Sequence, residues 1–488
     1  MEAEASEQCR RCHSAAGQFR CDRRADLNLG GKDGQPVEVR PRICAFALSD
    51  SVEPMLDYRP QPPVSTAKSL DHTSAARPRV SIVVSDLSGR GAGRWGGAVR
   101  PFLLAQALQS VGYPVEIVGF SAETVGEGDR STPTNIPLHT IPLPTAAIGP
   151  RAVGELFRHL SGDIIYAYNL KPSSFGLALV HRQLSRSRRC PVILDIDDWE
   201  LSWHGGDNYR YRPSVKQRLR DLLKPRGALR NFDHPLYLQW MEGWVAQADL
   251  VTTHNGFLQR RFGGVTIPNG KDTALFDPNR YSAEASRAAY GLAAYRVLMF
   301  PGAPRPYKGV EDLLTAMDQL AQPDLKLVIV GGSPYDDYDR TLLERWPQHI
   351  IHLGKQPYAA MPRVIAAAHV VVVPQRQTSA AAAQFPLKLT DGMAMAKPIL
   401  ATRVGDIPEI LGGCAYLAEP DNPADLAAQI SAIFADYGQA LAQGQQARDR
   451  CVAHYSIAAM ATALDRVIQP VLGPHPRESF QLAIPPPK

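Results

Sequence analysis

The residues best suited to chemistry lie in a short loop between a predicted strand and a predicted helix. Arg305 and Lys308 occur in this loop together with Gly302, and the helix is predicted over 310–320. The start of a helix presents unpaired backbone N–H groups and the positive end of its dipole, so it stabilises an anion. Two cations beside it would neutralise a diphosphate. We therefore predict a phosphate site here, with a solvated loop as the alternative.

A second pair of polar residues lies in a short helix that we predict after Pro386. Lys388 and Asp391 are three residues apart, so on a helix they share one face and can converge on one ligand. Gly405 follows the next predicted strand, 398–402, and permits a tight turn with close backbone approach. A cation and a carboxylate that face a glycine loop suit a phosphorylated, hydroxyl-rich ligand such as a nucleotide sugar. The alternative is an ordinary βα unit with solvated charges.

Polar residues also follow two apolar runs in the first half of the chain, 163–166 and 191–194. Open α/β sheets place ligands at the carboxyl ends of their strands. The side chains predicted to gather at this edge are Asn169, Lys171, Asp195, Asp197 and Asp198. Asp195 and Asp197 also form an Asp-x-Asp pair, which in another class of sugar transferase binds a metal and a diphosphate. Acids are common at strand ends, and we do not expect a metal here.

The first folded segment begins with a predicted strand at 80–84, a glycine-rich loop that contains Gly96 and Gly97, a helix over 98–111 and a strand at 115–118. This order is typical of a Rossmann-like half. The loop does not match the GxGxxG pattern cleanly, and no acid ends the next strand, so a dinucleotide is disfavoured. A flexible loop at the mouth of a cleft is the simpler interpretation.

Strands alternate with helices again in the second half, which predicts another parallel sheet. The fold class is therefore α/β, with two Rossmann-like doubly wound domains that face each other across a cleft. We also expect helices over 424–436 and about 438–469. The predicted parts are a proline-rich disordered extension (1–77), a first domain (78–285), a second domain (286–450), and a return helix with a loose tail (451–488).

Composition excludes several classes of protein. The 488 residues carry a formal charge of +5, which is too mild to indicate nucleic-acid binding. No apolar run approaches the roughly 20 residues that span a bilayer, and the N-terminus lacks the apolar segment of a secretory signal. The seven cysteines favour a reduced cytoplasmic protein. Cys9-Arg-Arg-Cys12-His13 matches a haem-attachment pattern, but haem would need export, so we expect neither haem nor zinc.

One segment is strongly basic. Residues 210–230, within a predicted insertion at 205–235, contain eight Arg or Lys and a single acid, Asp221. Leu219, Leu222 and Leu223 give part of it an apolar face. A basic amphipathic segment can lie on an anionic membrane surface, so peripheral contact with the inner face of a membrane is one of two interpretations that stay open. A solvated insertion that covers the first domain is the alternative.

Several stretches resemble glycosyltransferase family 4, whose members are retaining, nucleotide-sugar-dependent enzymes with the GT-B fold. The resemblance spans roughly 78–470 and is strongest in the second half. It implies a donor site on the second domain and a last long helix that crosses back to the first. The stretches are FPGAPRPYKGVEDLL (300–314), LKLVIVGG (325–332), HVVVVPQ (369–375), FPLKLTDGMAMAKPILATRVGDIPEI (385–410) and IPNGKDTALF (267–276).

The resemblance also implies roles for single residues. Arg305 and Lys308 would hold the donor diphosphate, Asp391 the ribose hydroxyls, and Gly354 with Lys355 would lie by the base. Asp198 matches the Asp of a His-Asp pair, whose His is replaced here by Asp197. The implied catalytic set is Arg305, Lys308 and Asp198, with Asn169, Lys171 and Asp197 on the acceptor side. The implied donor-binding set is Gly96, Gly97, Gly302, Gly354, Lys355, Lys388 and Asp391.

One family position departs from the pattern. Ala383 stands where the first Glu of a Glu-x7-Glu pair often lies, whereas Pro386 and Lys388 match a Pro-x-Lys variant found in some members. We expect transfer of a sugar to an acceptor hydroxyl with retention, in glycan, polysaccharide or glycolipid synthesis, without a metal or other cofactor. The alternatives are a sugar-nucleotide epimerase, a non-catalytic nucleotide- or glycan-binding relative, and, least favoured, a nicotinamide-dependent oxidoreductase. The sequence names neither the sugar, the base nor the acceptor.

Overall fold

The computed structural model describes residues 77–87, 99–121, 136–143, 148–185, 190–224, 227–230, 232, 234–332 and 336–472. The predicted extension, 1–77, lies outside this part of the chain except for its last residue. Gly96, Gly97 and the tail after 472 also lie outside it. The described residues all belong to one compact unit.

The first domain is built on a parallel sheet that, in the described residues, has seven strands in the order β3-β2-β1-β4-β5-β6-β7. Its central strands are mostly apolar and are buried along their whole length, as expected when helices cover both faces. The strands are β1 (Val80–Val84), β2 (Val115–Ser121), β3 (Leu138–Pro142), β4 (Ile164–Tyr168), β5 (Val192–Ile196), β6 (Leu250–Thr253) and β7 (Val265–Thr266).

Helices and shorter turns connect these strands. A π-helical turn, Pro172–Gly176, follows β4, and 3₁₀ turns at Glu200–His204 and Gly206–Asn208 follow β5. The helices of this domain are α1 (Arg100–Ser110), α2 (Pro150–His159), α3 (Leu177–Leu184), α4 (Val215–Leu223), α5 (Pro235–Glu242) and α6 (Gly256–Phe262).

The second domain has a parallel sheet of six strands within the described segments, in the order β10-β9-β8-β11-β12-β13. The two doubly wound sheets confirm the predicted fold class. The strands are β8 (Arg296–Pro301), β9 (Leu325–Val330), β10 (Ile350–Leu353), β11 (Val370–Val373), β12 (Ile399–Thr402) and β13 (Tyr416–Ala418).

The helices of the second domain alternate with its strands. A 3₁₀ turn, Pro306–Lys308, precedes the helix that follows β8. The helices are α7 (Ala283–Ala289), α8 (Val310–Leu320), α9 (Tyr338–Arg345), α10 (Met361–Ala366), α11 (Ser379–Ala382), α12 (Leu387–Ala394), α13 (Ile407–Leu411), α14 (Pro423–Ala435) and α15 (Tyr437–His454).

The stretch predicted as helical over about 438–469 is helical, but it is interrupted at Tyr455 and Ser456. α15 ends at His454, and a new helix, α16 (Ile457–Ile468), begins after Ser456, whose side chain accepts a hydrogen bond from the Ala459 N–H. The chain changes direction at this cap. Met460, Leu464 and Ile468 of α16 lie in the hydrophobic core of the first domain, between β1, β2 and α1.

The basic insertion forms α4 with an unusual orientation. Ser214 and Gln217 make a capping box at its start, which explains why the helix begins there. Among the nine residues of α4, all of them described, only Asp221 is buried. No helix within the described segments has the length and apolar character needed to cross a bilayer.

Candidate active site

The loop after β8 carries the predicted phosphate-binding residues. Gly302 has a φ of 118°, and the position of an added Cβ there faces open space. Gly309 ends the loop at a φ of 66°, where a Cβ would lie 1.8 Å from the Pro374 carbonyl oxygen, so only glycine fits. Arg305 and Lys308 lie between these glycines, at the carboxyl edge of the sheet, directly before α8.

Three cationic side chains converge at this edge. Lys308 donates to the Ala303 carbonyl at 2.8 Å, and burial together with Lys388 and Arg305 holds the pKa of Lys308 well below its ordinary value. Burial lowers the pKa of Lys388 to about 8, although Asp391 opposes the shift. Arg305 pairs with Asp336 at 3.2 Å. The site thus concentrates positive charge that an anion would stabilise.

Asp391 lies one turn beyond Lys388 on α12, as the spacing predicts, and forms an ion pair with Lys271. Lys271 is buried, and its Nζ lies 3.3 Å from the centroid of the Phe276 ring. Sequence reasoning missed Lys271, which lies in the stretch 267–276 but was assigned no role of its own.

The residues expected near a base lie at the same sheet edge. Gly354 and Lys355 directly follow β10 and are exposed, and nothing lies within 4 Å of an added Cβ at Gly354. Nearby, His352 donates through Nε2 to the Gly331 carbonyl at 2.5 Å. β10 is two strands away from β8, so these residues line the edge at a distance from the cations.

The acceptor-side residues gather after β4 and β5. Asn169 has a φ of 64°, and its Oδ1 accepts from the Asp197 N–H at 3.2 Å. Tyr168 donates its hydroxyl to the Asp197 carboxylate, yet burial raises the pKa of Asp197 to about 8. Lys171 pairs with Glu200 at 3.3 Å. The predicted convergence at this edge is therefore present.

Within the part of the chain that the structure describes, Asp198 has one carboxylate oxygen that is hydrogen-bonded and one that is not. Trp203 donates its indole N–H to Asp198 Oδ2 at 2.9 Å, while Asp198 Oδ1 is buried and has no hydrogen-bond partner among the described residues. Burial raises the pKa of Asp198 to about 7, with Glu200 adding to the shift. A carboxyl group with a free oxygen and a pKa near neutrality can accept a hydrogen bond from a substrate hydroxyl.

Asp195 has a different role from the one that an Asp-x-Asp metal motif suggests. Arg100 donates to both of its carboxylate oxygens, at 2.6 and 2.8 Å, and to Asn269 at 2.9 Å. Thr252 donates a further hydrogen bond to Asp195 at 2.7 Å. Both oxygens of Asp195 are therefore used in a buried hydrogen-bond network. Among the residues that the structure describes, no group of three His, Cys, Asp or Glu side chains is arranged to hold a metal ion.

The two domains meet around these groups. The rings of Trp203 and Tyr307 lie 5.2 Å apart, centroid to centroid, and Tyr307 is within electrostatic range of both Asp198 and Arg305. The acceptor-side carboxylate and the cationic loop therefore face the same part of the cleft. Because the cations lie on one domain and Asp198 on the other, the arrangement can hold a diphosphate beside a hydroxyl.

Ala383 lies at the contact between the domains. It is fully buried and packs with the core of the first domain. His254 donates through Nε2 to the Ala383 carbonyl at 3.1 Å, and Asn255 donates to the Ala382 carbonyl at 3.3 Å. Sequence reasoning missed both residues. The position holds no side chain that could act as a nucleophile.

Comparisons with known proteins agree with this geometry. Residues 295–436 match the family described as glycosyl transferases group 1. An uncharacterized glycosyltransferase of Methanocaldococcus jannaschii is 30% identical over 153 residues, which is 31% of this chain and 41% of that protein. A GDP-mannose-dependent monoacylated alpha-(1-6)-phosphatidylinositol monomannoside mannosyltransferase of Corynebacterium glutamicum is 25% identical over 344 residues, 67% of this chain and 81% of that protein.

Among solved structures, Anabaena HepE in complex with UDP-glucose has a TM-score of 0.59 at 17% identity, over 80% of this chain and 100% of that one. Likeness at this identity shows the fold alone. The chain therefore has the GT-B fold, and its second domain carries the glycosyl transferases group 1 match.

Proposed function

We propose that this GT-B chain is a retaining glycosyltransferase that moves a hexose-like sugar from a nucleotide diphosphate to an acceptor hydroxyl, in glycan, polysaccharide or glycolipid synthesis. The observation that carries the proposal is the convergence of Arg305, Lys308 and Lys388 on the cleft edge of the second sheet. The group 1 match over the same domain supports it, as do similar proteins whose names include GDP-mannose-dependent mannosyltransferases.

The chemistry follows from the charges. When the bond between the sugar and the diphosphate breaks, negative charge develops on the leaving oxygen. Cations already in place stabilise that charge without reorganising, most strongly where water is excluded. Lys308 and Arg305 would hold the diphosphate, with Lys388 beside them and Asp391 on the ribose hydroxyls. In this scheme the chain supplies the neutralising charge, and no metal is required.

Retention fits a front-face attack. Because Ala383 offers no nucleophile, a double displacement through a glycosyl-enzyme has no evident carrier there. The acceptor oxygen would instead form the new bond to the anomeric carbon on the face from which the diphosphate departs. Its proton would pass to the departing phosphate oxygen. Asp198 would accept a hydrogen bond from the acceptor hydroxyl and orient it.

A donor screen tests the proposal. The full chain is incubated with UDP-, GDP- and ADP-sugars, and the products are identified by mass spectrometry, first without and then with candidate acceptors. We expect hydrolysis of one donor class and transfer once an acceptor is present. A new sugar nucleotide formed without an acceptor would instead indicate an epimerase. Thermal stabilisation by a nucleotide without turnover of any donor would indicate a non-catalytic relative.

The pKa shifts predict a bell-shaped pH profile of kcat/KM. Below about pH 7 Asp198 becomes protonated and can no longer accept a hydrogen bond from the hydroxyl, so the rate rises with pH through that value. Above about pH 8 Lys388 loses its proton in the free protein, and the lowered pKa of Lys308 removes further positive charge, so donor capture falls. Steady-state assays from pH 5.5 to 9.5 check this profile. On each limb kcat/KM should change about tenfold per pH unit. Asp198→Asn should remove the acid limb, and an unchanged profile would exclude its assigned role.

The orientation of α4 supports contact with a membrane. Its apolar residues Val215, Leu219, Leu222 and Leu223 are all exposed, whereas its acid, Asp221, faces inward and accepts from the Tyr211 hydroxyl at 3.3 Å. Burial of the acid with exposure of the apolar residues is the reverse of an ordinary surface helix.

Exposed tryptophans extend the same surface. Arg230 donates to the Leu222 carbonyl at 3.0 Å, which joins α4 to the segment before α5. On α5 the rings of Tyr237 and Trp240 lie 5.9 Å apart, and Trp240 and Trp244 are more than half exposed. Tryptophan is favoured at the interface between lipid and water.

We infer that this surface docks on a bilayer with anionic lipids. The apolar side chains and tryptophans suit the lipid interface, and the surrounding cations suit the negative headgroups. A second copy of the chain is a poorer occupant, because a symmetric contact would bring the same cations together.

Neutralising the surface should weaken membrane binding. The triple variant K216Q/R218Q/K224Q removes three cations, each worth about 1 kcal/mol near an anionic surface, so binding should fall on the order of 100-fold. Co-sedimentation with phosphatidylglycerol-containing and neutral vesicles measures it. A matched triple of exposed cations on the second domain, R340Q/R345Q/R403Q, lowers the net charge equally and should bind like the wild type. Equal losses in both triples would indicate a net-charge effect and contradict docking through α4.

A further inference from the structure

Lys271 lies where the chain passes from the first domain to the second. Its backbone N–H donates to the Tyr455 carbonyl at 2.7 Å, and its carbonyl accepts from the Ile457 N–H at 3.0 Å. Tyr455 and Ser456 form the break between α15 and α16, where the chain returns to the first domain. The outgoing and returning segments are therefore joined to each other at Lys271.

The side chain of Lys271 points to the candidate donor site. It forms the ion pair with Asp391 and packs on the faces of Phe276 and Tyr358, 3.3 and 5.4 Å from their centroids. Lys271 is 7% exposed. Asp391 raises the pKa of Lys271 above its ordinary value in spite of burial, so the side chain stays charged. One residue thus connects the domain crossing with the proposed ribose ligand.

Neighbouring contacts make this connection stiff. An added Cβ at Gly270 would lie 3.0 Å from the Ile457 Cα, so the two crossing segments are in direct backbone contact. Arg448 of α15 donates to the Thr273 carbonyl at 2.9 Å and to the Ala394 carbonyl, at the end of α12, at 2.6 Å. Arg448 thus joins the end of α12 to the outgoing crossing segment.

We propose that Lys271 is a positioning residue that holds Asp391 for the donor ribose and couples donor occupancy to the separation of the two domains. A ribose hydroxyl that donates to Asp391 would compete for the same carboxylate that Lys271 holds, and Lys271 is tied by its backbone to both crossing segments. By linkage, an arrangement of the domains that strengthens donor binding is in turn favoured by the donor. This inference rests on the proposed function.

The variant Lys271→Met keeps the packing on Phe276 and removes the charge. Titration calorimetry with UDP, GDP and ADP measures binding, steady-state assays with the matching sugar nucleotides separate KM from kcat, and small-angle scattering with and without nucleotide measures domain separation. We expect KM for the donor to rise about tenfold, within the range of typical coupling, and the nucleotide-induced decrease in radius of gyration to disappear. Lys271→Arg should restore both.

Lys397→Met is the matched control. Lys397 donates to the Ala366 carbonyl at 2.6 Å on the same domain, away from the site. The variant Lys397→Met should lower thermal stability without changing KM for the donor or the scattering response to nucleotide. If Lys271→Met does the same, Lys271 has only a structural role and the proposal is wrong.

A second variant keeps the test decisive if Lys271→Met does not fold. The double variant K271M/D391N removes both partners of the ion pair, so neither Lys271 nor Asp391 is left as a buried charge without the other, and the variant should fold. It must still lack the nucleotide-induced compaction, and normal compaction would overturn the coupling. Absence of nucleotide binding to the wild type would overturn the proposed function itself, and is therefore distinguishable from failure of the coupling.

Discussion

Replacement of Lys308 by methionine is expected to lower kcat on the order of 10²–10³-fold, the usual cost of losing one preorganised donor to a developing charge. Lys308 is held at the cleft by the Ala303 carbonyl and lies in the field of Lys388 and Arg305. In the proposed mechanism this side chain would stabilise the negative charge that develops on the leaving oxygen. Steady-state kinetics with the donor found in the screen provide the measurement.

Lys326→Met is the matched control for that experiment. Lys326 lies near the start of β9, at the opposite end of the same sheet, and donates to the Gln348 carbonyl at 2.5 Å. The control should keep wild-type kcat. Near-normal turnover of Lys308→Met, with the fold intact by circular dichroism, would exclude the role assigned to Lys308.

The second large effect is on stability rather than rate. Arg100→Met should lower the free energy of unfolding by about 3–5 kcal/mol, because it leaves the carboxylate of Asp195 buried without its partner. Arg100 and Asp195 are 2% and 0% exposed, and both carboxylate oxygens accept from the guanidinium group. Urea unfolding, followed by intrinsic fluorescence, measures the loss.

Two further variants test whether the loss of stability comes from the unpaired buried charge. R100M/D195N removes both charges and should recover much of the loss, since no unpaired charge remains. Arg79→Met removes an exposed side chain whose contact with the buried Glu116 is long, at 3.8 Å, and Glu116 keeps its hydrogen bonds from Ser81 and Ser161, so the cost should be less than about 1 kcal/mol. A loss for Arg100→Met as small as that for Arg79→Met would show that the pair is not important for stability.

The sheets could be predicted from the sequence because most of their strands are short, mainly apolar segments that are buried on both faces. Val80–Val84, Leu325–Val330 and Val370–Val373 are examples. The edge strand Leu138–Pro142 was not predicted, and its residues show why. Among them only Ile141 is buried, so the strand lacks the apolar run that marks its neighbours.

The candidate site could be predicted only in part. Arg305 and Lys308 are close in sequence, and Lys388 shares a helix face with Asp391, so local spacing sufficed. Lys271, Arg100 and His254 have partners 120, 95 and 129 residues away, which become neighbours only when the fold closes. Local patterns carry no signal of such pairs. The catalytic roles of the predicted residues stay predictions until the variants are measured.

The return of α16 has a consequence for biosynthesis. Met460, Leu464 and Ile468 complete the core of the first domain, although that domain's own sheet ends some 190 residues earlier in the chain, at Thr266. The polypeptide leaves the ribosome from its N-terminus. The apolar face of this domain therefore stays uncovered until α16 has been translated. Nascent chains arrested before residue 457 should therefore depend on chaperones, whereas release of the following helix should end that dependence.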